Sequence, residues 1–406
     1  IRDKDSWLFF SNPQEILIAD KISTVKPVLE KATKSGFFTA GIISYEAASA
    51  FDEAFPKKKY SNFPLVLIGI FNNPVKLNHL PELNKSISKI GIFEPTVSKD
   101  KFVDDVNQIK RHIEKGETYQ VNYTYRLNAS FSGNSYNFFK ELIKNQQSSF
   151  ASYIETDTWS ICSASPELFF RLEKGSLITR PMKGTSNRGR YKNEDIEKSR
   201  KLKYSKKNQA ENIMIVDMIR NDLGRIAETG SIKTVSTFDT ERYPTLWQMT
   251  STVKAKTKYS GLDVFKALFP CASITGAPKV KTMEIISNIE NSPREGYTGS
   301  IGYFHPNGDA LFNVAIRTAL INRKKETISY GVGSGIIWDS NPDDEFNESI
   351  IKAEILLASR HNFNLVETML WCPKNKISLI NYHLERMKDS AHFFNRSFNR
   401  STALFL

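Results

Sequence analysis

Residues 165–170 read Ser-Pro-Glu-Leu-Phe-Phe, and residues 181–189 read Pro-Met-Lys-Gly-Thr-Ser-Asn-Arg-Gly. Between them, residues 175–179 form a β-like run that leads towards Lys183 and a glycine turn. A lysine there can project from a strand end into a cleft, because the neighbouring glycine gives little steric cover. A lone lysine is ordinarily a solvated surface residue. The functional interpretation therefore depends on the acidic residues that accompany it, of which Glu167 is the nearest.

A second acidic residue opens an apolar stretch. Glu211 is followed by apolar residues that would cover most of a helix circumference, and Gly224 ends the stretch. We expect a buried helix with Glu211 in its first turn. A carboxylate there can simply complement the helix dipole, which is worth ~0.3–1 kcal/mol, or it can serve as a ligand.

A further acidic helix is predicted over residues 345–352. It places Glu345 and Glu348 on one face, with Lys352 one turn further on. This face can be an ordinary exposed surface with a Glu–Lys pair. Carboxylates brought together from distant segments are also what an oxygen-ligated Mg²⁺ requires, since this ion takes one or two protein carboxylates and completes its shell with water and substrate oxygens.

Composition limits the class of protein. The 406 residues suffice for one large or two ordinary domains. No apolar run reaches membrane-spanning length, the charged N-terminus has no signal-peptide layout, and three scattered cysteines make no disulfide framework or metal cluster. These features predict a cytoplasmic protein without membrane association.

The formal net charge of +12 has three explanations. Nucleic-acid binding would require basic residues clustered with aromatic stackers, whereas these lysines are spread along the chain. A positive field can attract a dianionic substrate. A lysine-rich solvated surface is the simplest reading, and we expect no nucleic-acid partner.

Eight sequence blocks occur in an order that resembles the chorismate-utilising enzymes, and among them the aminodeoxychorismate synthases (component I). The blocks fall at residues 116–122, 165–170, 181–185, 211–224, 273–279, 296–303, 315–318 and 331–352. The resemblance covers about residues 5–358. It implies an α+β fold in which large antiparallel sheets pack as a sandwich with helices outside. We expect residues 1–95 to be the N-terminal part of the synthase domain and residues 96–358 its chorismate-binding catalytic region.

The resemblance also implies a mechanism. In this family chorismate is bound with Mg²⁺, whose ligand positions match Glu211 and Glu348, with Glu345 as an accessory acidic residue. Lys183 matches a nucleophile that attacks C2 of chorismate as the C4 hydroxyl leaves, and Glu167 matches the general acid for that hydroxyl. A nucleophilic lysine needs a depressed pKa, and a general acid at neutral pH needs a raised pKa.

The substrate-binding positions follow from the same resemblance. Arg317 and Tyr297 match the residues that hold the pyruvyl carboxylate; the alternatives are a structural ion pair and a core aromatic. Arginine can recognise a carboxylate through two parallel hydrogen bonds, and glycine lets the backbone approach an anion closely. Further matching positions in the substrate pocket are Gly184, Thr185, Thr275, Gly276, Gly333, Ser334 and Gly335.

Two glutamines bear on the incoming nucleophile. Gln120 stands where water-using relatives have a lysine base, which favours ammonia over water. Gln248 stands where many relatives have a histidine, so its role is open, although it fits a product that keeps its pyruvyl group.

No glutaminase triad is evident in the sequence, and we expect a separate glutaminase subunit to supply ammonia. The expected reaction is amination of chorismate to 4-amino-4-deoxychorismate in folate (para-aminobenzoate) biosynthesis. The rival activities are anthranilate synthesis and, from another class, non-catalytic nucleic-acid binding.

The last predicted segment spans residues 363–406, and within it residues 363–395 are predicted as strand, turn, strand and helix, with Asn381 as the helix N-cap. This segment resembles the start of aminodeoxychorismate lyase, a pyridoxal-phosphate enzyme of fold type IV, and Arg386 matches its phosphate-contacting arginine. The chain ends before the region of the Schiff-base lysine. We expect neither bound pyridoxal phosphate nor lyase activity; the alternative is an arm that packs on the synthase.

Overall fold

The structure is a computed structural model that describes residues 1–3, 5–57, 62–82, 88–357, 363–374, 376–394 and 396–404. Its strands, β1 to β23 in chain order, are Arg2–Asp3, Ser6–Phe9, Glu15–Ala19, Phe38–Ile43, Val66–Phe71, Val75–Leu77, Lys89–Ile90, Glu94–Pro95, Gln120–Ser132, Ser152–Glu155, Trp159–Ser163, Leu168–Glu173, Ser176–Arg180, Met182–Asn187, Lys233–Arg242, Leu246–Lys256, Gly276–Ala277, Ser300–Phe304, Ala310–Asn313, Thr318–Asn322, Thr327–Ile336, Trp371–Cys372 and Lys376–Ile377.

The helices, α1 to α10, are Ile22–Lys34, Lys99–Glu114, Ser135–Gln146, Lys192–Tyr204, Lys206–Gly224, Gly261–Leu268, Lys279–Ile289, Pro342–Leu357, Ile380–Phe393 and Arg400–Leu404. Two short 3₁₀ segments span Tyr45–Ala50 and Ala272–Ile274. Within the described residues, no helix is both long and apolar enough to cross a membrane.

Two large antiparallel sheets organise the chain. A ten-stranded sheet has the order β14-β16-β13-β12-β19-β18-β4-β5-β3, with β15 also paired to β16. An eight-stranded sheet has the order β10-β11-β20-β21-β9-β17, with β7 and β8 paired to β9. The segment before residue 95 thus gives β3, β4 and β5 to the same sheet as β12 to β16. The predicted boundary at residues 358–362 lies outside the described residues.

Successive side chains of a strand point to opposite faces of its sheet. In the central strands both sets of side chains are apolar, which explains why each sheet packs against another layer on both faces. In β4, Ile43 packs in a core with α1, α5 and α6, whereas its neighbour Ile42 packs in a separate core between the two sheets. In β20, Leu320 joins that inter-sheet core while Ile321 packs with α2, α3 and α7. The predicted sandwich of antiparallel sheets with helices outside is confirmed.

Two local predictions are wrong. The apolar run over residues 41–52 predicts a strand from the sequence, but β4 ends at Ile43, and a 3₁₀ segment follows at Tyr45–Ala50. The apolar helix does not begin at Glu211, since α5 starts at Lys206, where the Ser205 side chain accepts a hydrogen bond from the backbone N–H of Asn208. Glu211 therefore lies beyond the first turn, and the dipole explanation for its position no longer applies.

The same helix is also not buried on all sides. Its buried residues, which include Ile215, Ile219 and Leu223, form one face of α5. Ile213, which was predicted to lie within the apolar circumference, is 48% exposed. The helix therefore covers the ten-stranded sheet with one face, and the edge that carries Glu211 is left at the boundary of a cleft.

Candidate active site

A cleft of about 710 Å³ lies where the two sheets approach each other. This volume is within the range of small-molecule sites. The ten-stranded sheet contributes β14 and Gln248 of β16, the eight-stranded sheet contributes β21, and α5 and α8 form the rim. The predicted site residues that line this cleft are Glu167, Lys183, Gly184, Thr185, Glu211, Gln248, Tyr297, Arg317, Gly333, Ser334, Gly335, Glu345 and Glu348.

Three predicted substrate-binding residues do not line the cleft. Thr275 is fully buried and donates its hydroxyl to the carbonyls of Cys271 and Ala272. Gly276 pairs with Val121 in the β17–β9 ladder. Gln120 is also fully buried, and neither its Oε1 nor its Nε2 has a hydrogen-bond partner among the described residues. Contact of these three residues with a substrate stays a prediction.

A bulge in β14 directs Lys183 into the cleft. The pairing of β14 with β16 shifts register between Met182 and Thr185, and Gly184 within that shift has φ +90°. Such a bulge inserts an extra residue and re-aims the side chain beside it. Opposite, a Cβ at Gly335 would lie 2.8 Å from Lys183 Nζ. The lysine can occupy its position only because β21 has no side chain there.

The Lys183 ammonium has neither a hydrogen bond nor an ion pair with any described residue. Burial lowers the pKa of Lys183, the charges of Glu211 and Glu167 oppose that shift, and the positive charge of Lys352 adds to it. The net direction is downward because desolvation disfavours the charged form of an amine. This is the environment that makes a lysine available as a neutral nucleophile, and it contradicts the alternative of an ordinary surface lysine.

Glu167 has the opposite perturbation. Its carboxyl group is almost completely buried between β11 and β12, with 2% of the residue exposed. Burial raises the pKa of Glu167 to about 7, although hydrogen bonding from Ser273 and from the Met182 backbone and the charges of Lys183 and Arg317 oppose the shift. A carboxyl group with this pKa can hold a proton near neutral pH, as a general acid must.

Arg317 and Tyr297 provide donors in another part of the cleft. Arg317 makes no ion pair with any described residue, so the alternative of a structural ion pair does not hold there. Burial raises the pKa of Tyr297 to about 12, which keeps its phenol neutral and able to donate a hydrogen bond. The Tyr297 ring lies over Gly331, where a Cβ would come within 2.1 Å of it, and the Arg126 guanidinium is 4.9 Å from the ring centroid.

The three acidic residues predicted at a metal site face the same cleft, but they do not form a ready ligand set. The Glu345 carboxylate accepts hydrogen bonds from Ser334 and Ser340. Glu348 pairs with Lys352 at 2.8 Å. In the described parts of the chain, no group of three or more His, Cys, Asp or Glu side chains is arranged to hold a metal ion.

The chemistry of these donors nevertheless matches Mg²⁺, which takes one or two protein carboxylates and otherwise water and substrate oxygens. Burial raises the pKa of Glu211, and the charges of Glu345 and Glu348 raise it further. Burial also acts upward on the pKa of Glu348, but the charge and hydrogen bond of Lys352 and the charge of Lys183 outweigh it and lower that pKa. A bound dication would relieve the mutual repulsion of these carboxylates.

The C-terminal segment has the predicted order of strand, turn, strand and helix, in β22, β23 and α9. Asn381 is not the N-cap, because Leu379 occupies that position and Asn381 instead accepts a hydrogen bond from Arg400. Arg386 pairs with Glu367. Helix α9 packs against α4, where Asp389 meets Lys192 at 2.6 Å. The resemblance of this segment to a lyase stays a prediction.

Two buried residues that shape this site were not predicted as site residues, although Ser273 begins the matched block at residues 273–279. Ser273 acts on the carboxyl group of Glu167, and Gln146 accepts a hydrogen bond from Arg317 at 2.8 Å. Ser273 and Gln146 each lie more than a hundred residues along the chain from the residue they contact. Only the tertiary fold therefore brings each pair together.

An antiparallel sandwich with a charged cleft between its sheets, a partly buried lysine that has no ion-pair partner among the described residues and a carboxyl group of raised pKa are features of an enzyme active site. Comparison with known families agrees. The chorismate binding enzyme family matches residues 10–358, and the chain belongs to that family. The resemblance stated from the sequence is thereby confirmed.

Named relatives divide between two activities. The chain is 38% identical over 293 residues to "Aminodeoxychorismate synthase, chloroplastic" of Arabidopsis thaliana, covering 70% of this chain and 31% of that protein. It is 38% identical over 266 residues to "Aminodeoxychorismate synthase component 1" of Bacillus subtilis, covering 65% and 56%. It is 37% identical over 262 residues to "Anthranilate synthase component 1" of Aquifex aeolicus, covering 64% and 53%. The chain thus spans less than two thirds of the length of these curated relatives.

A solved structure supports the fold. The crystal structure of anthranilate synthase component I from Streptococcus pneumoniae superposes with a TM-score of 0.77 at 22% sequence identity, covering 87% of this chain and 92% of that one. At this identity the likeness concerns the fold alone.

The raised pKa of Glu167 predicts a pH-dependent stability. A carboxyl group whose folded-state pKa is about 7 favours folding below its unfolded pKa of ~4.3, and that contribution is lost as pH rises through about 7. The Glu167→Gln side chain cannot ionise, so the variant lacks this decrease in the free energy of unfolding. Between pH 4.5 and pH 8, we expect the free energy of unfolding of the variant to rise relative to that of the wild type by up to ~3 kcal/mol, measured by urea unfolding at both pH values.

Glu53→Gln, on the exposed surface, is the matched control and should follow the wild-type curve. Parallel pH profiles for wild type and Glu167→Gln would show that Glu167 is not protonated preferentially in the folded protein.

Proposed function

We propose that this chain aminates chorismate to 4-amino-4-deoxychorismate, with Lys183 as a covalent nucleophile and ammonia as the nitrogen source. The observation that supports this most is the Lys183 side chain, which is partly buried in the cleft without an ion-pair partner among the described residues and has a lowered pKa. Relatives whose names state aminodeoxychorismate synthase are 35% to 39% identical to the chain.

The charges of the cleft fit a dianionic substrate with a divalent cation. Four basic side chains (Lys183, Lys207, Arg317 and Lys352) share the cleft with five acidic ones (Glu167, Asp344, Glu345, Glu348 and Glu211). In the state that the proposed step requires, with Glu167 protonated and Lys183 neutral, three positive side chains face four negative ones. A bound dianion would add two further negative charges, which calls for compensation by a cation. When bound by Glu211 and Glu348, Mg²⁺ would supply that compensation and polarise a substrate carboxylate.

In the first chemical step, the neutral Lys183 amine forms a bond to C2 of the chorismate ring. The ring double bonds shift, the C4–O bond breaks, and Glu167 gives its proton to the departing hydroxyl, which leaves as water. Both groups line the same cleft, and each has the pKa direction that its role requires.

In the second step, ammonia forms a bond to C4, the double bonds shift back, and the C2–N bond to Lys183 breaks, so that Lys183 leaves as the neutral amine. The nitrogen on C4 gives one proton to the Glu167 carboxylate, which restores the general acid. The sum is chorismate plus ammonia giving the 4-amino product plus water. The enolpyruvyl group remains on the ring throughout, held in this proposal by Arg317 and Tyr297. A glutaminase subunit separate from this chain would supply the ammonia.

The second candidate is anthranilate synthesis, because a relative of that name is 37% identical to the chain. In that reaction nitrogen adds at C2 and the enolpyruvyl group leaves as pyruvate. Lys183 Nζ distinguishes the candidates, since in our proposal the lysine amine, and not ammonia, reacts at C2.

The first test concerns product and adduct. With chorismate, Mg²⁺ and ammonium at alkaline pH, the chain should form 4-amino-4-deoxychorismate without releasing pyruvate, and with glutamine in place of ammonium it should not. Intact-mass measurement during turnover should show an adduct of one chorismate less one water. Lys183→Ala should lose the adduct and ~10²–10⁴-fold in rate, as for removal of a nucleophile or general catalyst.

Lys254→Ala, which removes an exposed lysine from the strand paired with β14, is the control and should leave rate and adduct unchanged. Anthranilate and pyruvate as products would establish the second candidate. A wild type without adduct, together with an unimpaired Lys183→Ala variant, would refute the covalent role.

A separate test concerns the metal. Removing divalent ions with a chelator should abolish turnover, and added Mg²⁺ should restore it. Glu211→Gln and Glu348→Gln should each raise the Mg²⁺ concentration for half-maximal activity at least tenfold, because each removes a charged ligand. The control is Asp343→Asn at the start of α8, where the carboxylate pairs with Lys99 at 2.7 Å outside the cleft. Unchanged Mg²⁺ dependence in both glutamate variants would show that the ligands lie elsewhere.

A further inference from the structure

Arg317 is held in an unusual setting for a partly buried cation. Its backbone is in the left-handed region at φ +50°, which is uncommon for a side chain other than glycine and marks a position fixed by its surroundings. The guanidinium lies 5.5 Å from the centroid of the Tyr243 ring. Its Nη1 donates to Gln146 Oε1 at 2.8 Å, and no carboxylate of the described residues lies within ion-pairing distance.

The Gln146 side chain is almost completely buried where it contacts Arg317. Gln146 is the last residue of α3, has 1% of its surface exposed, and is followed by Gln147 in the left-handed conformation, which turns the chain away from the helix. Burial therefore fixes the amide against the guanidinium, and α3 places it there from outside the two sheets.

The direction of the amide follows from hydrogen-bonding chemistry. Arginine has only donors, so the amide oxygen must face it. The Gln146 Nε2 then points elsewhere and has no hydrogen-bond partner among the described residues. A buried donor without a partner costs about 1–3 kcal/mol. The fold tolerates this cost at a residue whose side chain makes its one hydrogen bond within the described residues to Arg317.

A neutral partner has a specific advantage at this position. A glutamate at residue 146 would satisfy the guanidinium better, but it would also cancel the positive charge before any substrate arrived. Glutamine fixes the direction of the guanidinium and leaves its full charge in the cleft. The ring face of Tyr243 is also uncharged, so it contacts the guanidinium without cancelling its charge.

We infer that Gln146 is a positioning residue that orients Arg317 and keeps its charge available for the enolpyruvyl carboxylate of the substrate. This inference rests on the proposed function, because that function supplies the carboxylate. Gln146 does not line the cleft, so its effect on the substrate is exerted through Arg317.

The decisive variant is Gln146→Glu, which keeps the shape of the side chain and adds a negative charge. The dissociation constant of chorismate in the presence of Mg²⁺, measured by calorimetry, should rise 10–100-fold, as expected from loss of a charge-assisted hydrogen bond. KM should rise by a similar factor while kcat at saturation changes less than threefold. The isosteric neutral variant Gln146→Met lacks the acceptor and should weaken binding by a smaller factor, of several-fold.

A control ligand separates this role from a general structural effect. 4-Hydroxybenzoate carries a ring carboxylate but no enolpyruvyl group, so its inhibition constant should be the same for wild type and Gln146→Glu. Equal weakening of both ligands, together with a lower melting temperature, would show that Gln146 is merely structural. Should Gln146→Glu fail to fold, Gln146→Met supplies the same comparison of the two ligands.

The outcomes for the two proposals are distinguishable. Wild type that binds no chorismate would refute the proposed function and this inference with it. Wild type that binds chorismate, with Gln146→Glu binding it equally well, would refute the positioning role and leave the amination proposal in place.

Discussion

The desolvation of the Lys183 ammonium, which has no ion-pair partner in the part of the chain that the structure describes, is the constraint on which the rest of this site depends. An isolated cation in a low-dielectric cleft is costly, and a lysine responds by a lowered pKa. Two backbone features make that desolvation possible. The bulge at Gly184 turns the side chain towards the opposite sheet, and the missing side chain at Gly335 gives the amine room.

The two sheets have distinct parts in the proposed chemistry. The ten-stranded sheet carries the reacting groups, Lys183 in β14 and Glu167 just before β12, whereas the loop before β20 of the eight-stranded sheet carries Arg317. Nucleophile and acid thus share one framework, and the substrate anchor belongs to the other. Since an apolar core that includes Ile42 and Leu320 joins the sheets, the relative position of these groups depends on well-packed side chains and not on a mobile loop.

Motifs in the sequence were sufficient to locate most of the candidate site, because the residues with chemical function lie at strand ends and in glycine-rich turns that the sequence displays. The start of α5 could not be predicted, because its apolar period becomes visible only at Ile213 whereas a polar first turn capped by Ser205 precedes it. Gln146 was missed for another reason: its function exists only through a contact with Arg317, 171 residues away.

The most direct measurement is a titration of the lysine side chains by NMR in protein labelled with ¹³C at the lysine ε-carbons, with the Lys183 signal assigned from its absence in Lys183→Ala. The account predicts that Lys183 titrates at lower pH than the exposed lysines, because burial lowers its pKa more than the surrounding carboxylates raise it. A Lys183 signal that titrates together with the exposed lysines, or above them, would contradict the account, because the amine would then remain charged and could not attack the substrate.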